Sequence, residues 1–170
     1  MDFNVTEGQS TVRDLAAKVL GDHCTPEALR ACEDSDSSGF DRKLWSKLAD
    51  AGLLGITVSE EYGGLGLGLS ELAVLLEEVG RVTAPVPVLA GLALGALTIS
   101  RHGTDQQKAY TLPGIAAGTT LVTAALVEPL AAELTPAPNA TETADGWGRH
   151  DTKLSAPSGA SPVIHTGAAT

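Results

Sequence analysis

The groups in this chain best suited to chemistry are clustered carboxylates, two thiols and four imidazoles, and their spacing decides what each can do. Asp34-Ser35-Asp36-Ser37-Ser38-Gly39 offers side-chain oxygens at its first, third and fifth positions and a glycine at the sixth, as a calcium loop begins. Its twelfth position is Trp45, where such a loop needs a bidentate Glu, so the spacing favours a solvated connection between helices. Glu77 and Glu78 could share acid and base roles only if they converged. Adjacent helical positions point apart, and a solvated face is expected. His23, His102, His150 and His165 form no sequence pattern with a Ser or Cys nucleophile, and His102 after Arg101 reads as a favourable cation at a helix C-terminus. Cys24 and Cys32 lack CxxC spacing and a neighbouring His cluster, which excludes a zinc ribbon or disulfide framework.

Gly63, Gly64, Gly66 and Gly68 invite comparison with a dinucleotide loop. A fingerprint begun at Gly64 requires glycine at position 69, which is Leu69, and one begun at Gly66 requires it at position 71, which is Glu71. Both fail. These glycines are expected to serve backbone geometry, by tolerating positive φ and close approach of neighbouring chain.

The elements that would position these groups are mostly helices. Ser10 or Thr11 is expected to cap a first helix carrying Val12, Leu15, Ala16 and Val19 on one stripe and ending at Gly21. Thr25-Pro26 starts a second, and Asp41 caps a third with Leu44, Trp45, Leu48 and Ala51 inward, closed by Gly52. Ser70 is expected to cap a helix with Leu72, Leu75, Leu76 and Val79 in line, stopped by Gly80-Arg81. Thr83 to Pro87 breaks the pattern, and 88–102 is apolar nearly all round, as for a helix buried on most faces. Thr104 caps a last helix reaching Pro113 or Ala117. Beyond Thr119, 120–127 suits a strand, 130–143 a loop or disordered segment, and Asp145-Gly146-Trp147 a hairpin turn. Ser155 to Thr170 has too few large apolar residues to complete a sheet alone.

Composition narrows the function classes. The chain has 170 residues, of which 43% are hydrophobic but only 4% aromatic, so its core must be made from Leu, Val and Ala, which favours packed helices. A formal net charge of −10 opposes approach to phosphate backbones, so nucleic acid is not an expected partner. Charges at Asp2, Glu7, Arg13, Asp14 and Lys18 interrupt any signal-peptide core, and no later stretch reaches spanning length, which points to a cytoplasmic chain with no membrane partner.

Four motifs occur in one order: 44–56 (LWSKLADAGLLGI), the turn Glu60-Glu61-Tyr62-Gly63-Gly64-Leu65-Gly66 with its following helix, His102-Gly103-Thr104-Asp105-Gln106-Gln107-Lys108, and 112–129, ending Glu128-Pro129. In that order they resemble the N-terminal part of the acyl-CoA dehydrogenases, from about Phe40 to Pro129. The resemblance implies a mainly α fold, a helical N-terminal domain over 1–118, followed over 119–170 by an incomplete start of the middle β domain with a Pro/Ala/Thr-rich loop. It implies FAD-dependent α,β-dehydrogenation of an acyl-CoA thioester, as in fatty acid β-oxidation, with the catalytic base outside this chain. The flavin-facing strand maps to Ala124, Leu126 and Val127, and the acyl-pocket helix to Ala90, Gly91 and Leu94. At Gly91, tight helix packing is the alternative to an acyl slot. After Glu128-Pro129 the family's Gly-Ser-Asp is replaced by Leu130-Ala131-Ala132, and Val127 stands where Thr is usual, which puts flavin binding by this chain alone in doubt. A homo- or hetero-oligomer with another dehydrogenase-like chain is the implied assembly. A non-catalytic helical interaction module on the same scaffold is the alternative.

Overall fold

The computed structural model describes residues 4–34, 40–124, 139–143, 146–150 and 164–166. Among these, the architecture is mainly helical: α1 (Glu7–His23), α2 (Pro26–Glu33), α3 (Arg42–Asp50), α4 (Leu69–Arg81), a π-helical segment (Leu89–Ala96) running into α5 (Leu97–His102), and α6 (Asp105–Ala116). Four short strands follow: β1 (Val122–Ala124), β2 (Asn139–Thr143), β3 (Gly146–His150) and β4 (Ile164–Thr166).

Local capping fixes most helix starts. Thr25, Asp41 and Thr104 each accept a hydrogen bond from a first-turn backbone N–H, as expected. Two starts differ from the expectation. α1 is capped four residues before Ser10, because Thr6 and Gln9 close a reciprocal capping box, Gln9 N–H to Thr6 Oγ1 at 3.2 Å and Thr6 N–H to Gln9 Oε1 at 3.1 Å. α4 begins at Leu69 and not after Ser70, because Glu71 Oε2 reaches back to accept from Gly68 N–H at 3.0 Å. The first helix also runs past Gly21 to His23.

The core is aliphatic, with Leu20, Leu44, Leu48, Leu53, Leu54, Ile56, Leu72, Leu75 and Leu92 fully buried, and Trp45 its large ring. The glycine-rich turn takes the backbone role expected of it. Gly63 and Gly66 hold φ of 82° and 65°, and any Cβ on Gly64 would overlap the Val58 carbonyl. Glu78 departs from expectation. It lies three and four residues after Leu75 and Val74 on the buried face of α4, is 6% exposed, and accepts from Arg81 Nε at 2.7 Å, whereas Glu77 stays exposed and pairs with Arg13 at 3.5 Å.

The strands form two pairs. β1 pairs in parallel with β4, Val122 beside Ile164 and Ala124 beside Thr166. β2 pairs antiparallel with β3, Thr143 beside Gly146. Residues 139–143 are therefore a strand and not part of the loop expected over 130–143, and Gly146 and Trp147 sit in β3 and not in a turn. The remainder of 130–143, the calcium-like residues 35–39 and Asp145 fall outside the described residues.

Candidate functional site

Of the residues assigned from sequence, Ala90, Gly91 and Leu94 lie on the π segment, along which β1, ending at Ala124, packs to make a junction. A π-helical turn widens the helix, and such turns recur at functional sites; here Leu97 N–H reaches five residues back to Leu92 O. Ala90 (6% exposed) and Gly91 are buried in this segment, and Leu94 is half-buried. A Cβ on Gly91 would lie 3.1 Å from Leu121 Cδ1 and 3.3 Å from Trp45 Cη2, so those two side chains occupy the space beside it. Ala124, 5% exposed, is the last described residue of β1. Leu126 and Val127 lie outside the described residues.

Trp45 ties the junction together. Its ring meets the π segment, and its Nε1–H donates to the Gly118 carbonyl at 3.1 Å, just before β1. Gly118 itself turns at φ 71°. Phe40 meets Trp45 edge to face at 5.9 Å, and the Arg42 guanidinium lies 5.1 Å from the Phe40 centroid. These residues, with Ser46, Thr119 and Leu121, border a cavity of about 230 Å³.

A second cavity of about 420 Å³ lies between the acidic-aromatic turn and α6, with Glu61, Tyr62, Ser100, Asp105 and Lys108 in its wall. Desolvation, then Glu61 and Asp105, push the Tyr62 phenol above its ordinary pKa, so it stays a neutral hydroxyl. Among the described residues no group of three or more His, Cys, Asp or Glu is placed to hold a metal ion, and no helix is long and apolar enough to cross a membrane.

The residues at the junction suit a flavin as a strand edge only. The described part of β1, Ala124 included, is buried and carries no charged group for a flavin's phosphates. Sequence reading missed two features here, the π geometry and the closeness of Gly95 to β1. The four-residue spacing of Gly91 and Gly95 was the available signal.

The profile of the family described as acyl-CoA dehydrogenase, N-terminal domain, matches residues 6–119. The chain is 34% identical over 131 residues to the mitochondrial isovaleryl-CoA dehydrogenase of Bos taurus, covering 74% of this chain and 30% of that protein. Acyl-CoA dehydrogenase FadE27 of Mycobacterium tuberculosis is 36% identical over 106 residues, 62% of this chain and 28% of its own length. Among solved structures, a variant of the Tcur3481-Tcur3483 steroid ACAD superposes with TM-score 0.87 at 41% identity, over 96% of this chain and 45% of that one. The ChsE4-ChsE5 complex from Mycobacterium tuberculosis gives 0.81 at 30% identity, over 90% and 41%. The chain thus spans about 30% of the length of these curated relatives and under half of these solved chains. With four motifs in order, the helical arrangement and the profile in agreement, this chain belongs to the acyl-CoA dehydrogenase family, whose N-terminal helical domain it carries.

Proposed function

We propose that this chain is the acyl-pocket part of an FAD-dependent acyl-CoA dehydrogenase, working in the cytoplasm within an assembly that includes a second dehydrogenase-like chain. The observation that supports this reading is the junction itself, because β1, which would lead to the flavin-facing residues, packs on the segment that would line the acyl chain. In the complete assembly a bound flavin would accept the β-hydrogen as hydride, and the base for the α-proton would come from outside this chain. Ala90 and Leu94 would line the acyl chain, with Gly91 set behind them against Trp45 and Leu121. Ala124, Leu126 and Val127 would offer backbone to the flavin ring. Residues 1–118 act as the helical domain and 119–170 as the start of the β domain.

The steroid ACAD and ChsE4-ChsE5 structures each bring together two differently named proteins, which supports an assembly of unlike chains. Co-expression with a neighbouring dehydrogenase-like chain is expected to give a yellow complex with flavin absorbance and acyl-CoA-dependent bleaching. Colourless protein, alone and with that partner, would favour a non-catalytic interaction module, a reading supported by Leu130-Ala131-Ala132 in place of Gly-Ser-Asp. Within an active complex, Leu94→Phe is expected to shorten the accepted acyl chain several-fold in kcat/KM while folding is retained. Unchanged chain-length preference would remove Leu94 from the pocket.

A further inference from the structure

We infer that Gly95 is a positioning residue for the flavin-facing strand, its missing side chain setting how closely β1 lies on the π segment and where Ala124 is presented; the flavin part of this inference rests on the proposed function. Gly95 is buried, and a Cβ built on it would lie 2.8 Å from the Val122 carbonyl oxygen, 3.1 Å from Val122 Cβ and 3.2 Å from its carbonyl carbon. Real Cβ atoms essentially never come that close to a backbone oxygen, so a methyl group at 95 must displace the strand. Gly91, four residues earlier, differs in kind. A Cβ there would lie 3.1 Å from Leu121 Cδ1 and 3.3 Å from Trp45 Cη2, both side-chain ends, and at an ordinary 3.8 Å from the Val122 carbonyl oxygen.

The strand has little room to absorb the change locally. Val122 and Thr123 are fully buried, and the far edge of β1 is held in register by β4. A close-packed interior transmits a displacement that it cannot relax. A methyl group at Gly95 is therefore expected to shift all of β1, Ala124 included.

The test uses the full chain, alone and in complex with its dehydrogenase-like partner, with Gly95→Ala, Gly91→Ala and, as a helical control with open space, Gly80→Ala. In the chain alone, Gly95→Ala is expected to move the amide resonances of Val122–Ala124 and raise their hydrogen exchange at least tenfold. Gly91→Ala is expected to alter Trp45 emission only, and Gly80→Ala neither. In the complex, Gly95→Ala is expected to displace the flavin absorbance band and weaken flavin binding at least fivefold, with Gly80→Ala near wild type. If Gly95→Ala alone does not fold in buffer, the same amide measurement is made with trimethylamine N-oxide present, an osmolyte that favours the compact state. Unmoved Val122–Ala124 amides in a folded Gly95 variant would overturn the inference, as would a flavin band displaced equally by Gly80→Ala. A wild-type complex without flavin would sink the flavoenzyme reading instead, leaving the amide measurement to decide whether Gly95 positions the strand.

Discussion

Gly118 is where a single atom is expected to matter most. Its φ of 71° is unfavourable for any residue with a side chain, and a Cβ there would stand 2.8 Å from Ala49 Cβ. Gly118→Ala should therefore lower stability by about 1–2 kcal/mol from the backbone term alone, and by more if the Trp45 bond to its carbonyl is lost. Urea unfolding followed by Trp emission measures this. Glu78 and Arg81 make a second local test. Arg81→Ala leaves a buried carboxylate without its donor and should cost about 1–3 kcal/mol, whereas Arg13→Ala, which frees only the exposed Glu77, should stay within about 0.5 kcal/mol. Cys24 is a half-buried thiol whose pKa is raised by desolvation and then by Asp41. At pH 8 less of it is thiolate than in the unfolded chain, so alkylation should be slower in the native protein than in urea. By the same sign, any stability that Cys24 lends is present below the ordinary thiol pKa and fades as pH rises through the higher native value.

For the elements, the capping arrangements separate what the sequence displays from what packing decides. Thr25-Pro26, Asp41 and Thr104 were legible because a cap acts on the next three residues and needs nothing distant. Thr6 was missed although Thr6 and Gln9 have capping-box spacing, since the apolar stripe that drew attention starts only at Val12. Thr6→Ala should cost about 1 kcal/mol and speed hydrogen exchange through the first turn of α1, while Ser10→Ala, inside the helix, should do neither. The burial of Glu78 was not legible because the same helical wheel position is solvated or covered according to what packs on it. The junction was half legible. The resemblance put Ala90, Gly91, Leu94 and Ala124 in two separate motifs, and only the fold brings the motifs together. The π geometry had no sequence mark, because an apolar run of Leu, Ala and Gly fits an α-helix equally well. β2 escaped notice for a related reason, its Ala, Thr and Glu content lacking the large β-branched and aromatic side chains that identify a strand.

The whole molecule combines a net charge of −10 with several uncovered apolar side chains, among them Leu65, Leu69 and Leu89. Charge keeps copies apart at low salt, and screening removes that protection. If the proposed assembly holds, the chain alone is expected to sediment as a mixture of oligomers whose share grows with salt, and to collapse into one defined species when a second dehydrogenase-like chain is added. A single monomeric species at all salt concentrations would count against that dependence. The parallel pairing of β1 with β4 has a temporal side. About forty residues separate the two strands, and closing a loop of that length costs roughly 3 kcal/mol of chain entropy before any contact repays it. Helices built from near neighbours face no such delay. During refolding the helical signal should accordingly return first and the strand pairing last, and a polypeptide cut after Ala124 should regain its helices as quickly as the intact one.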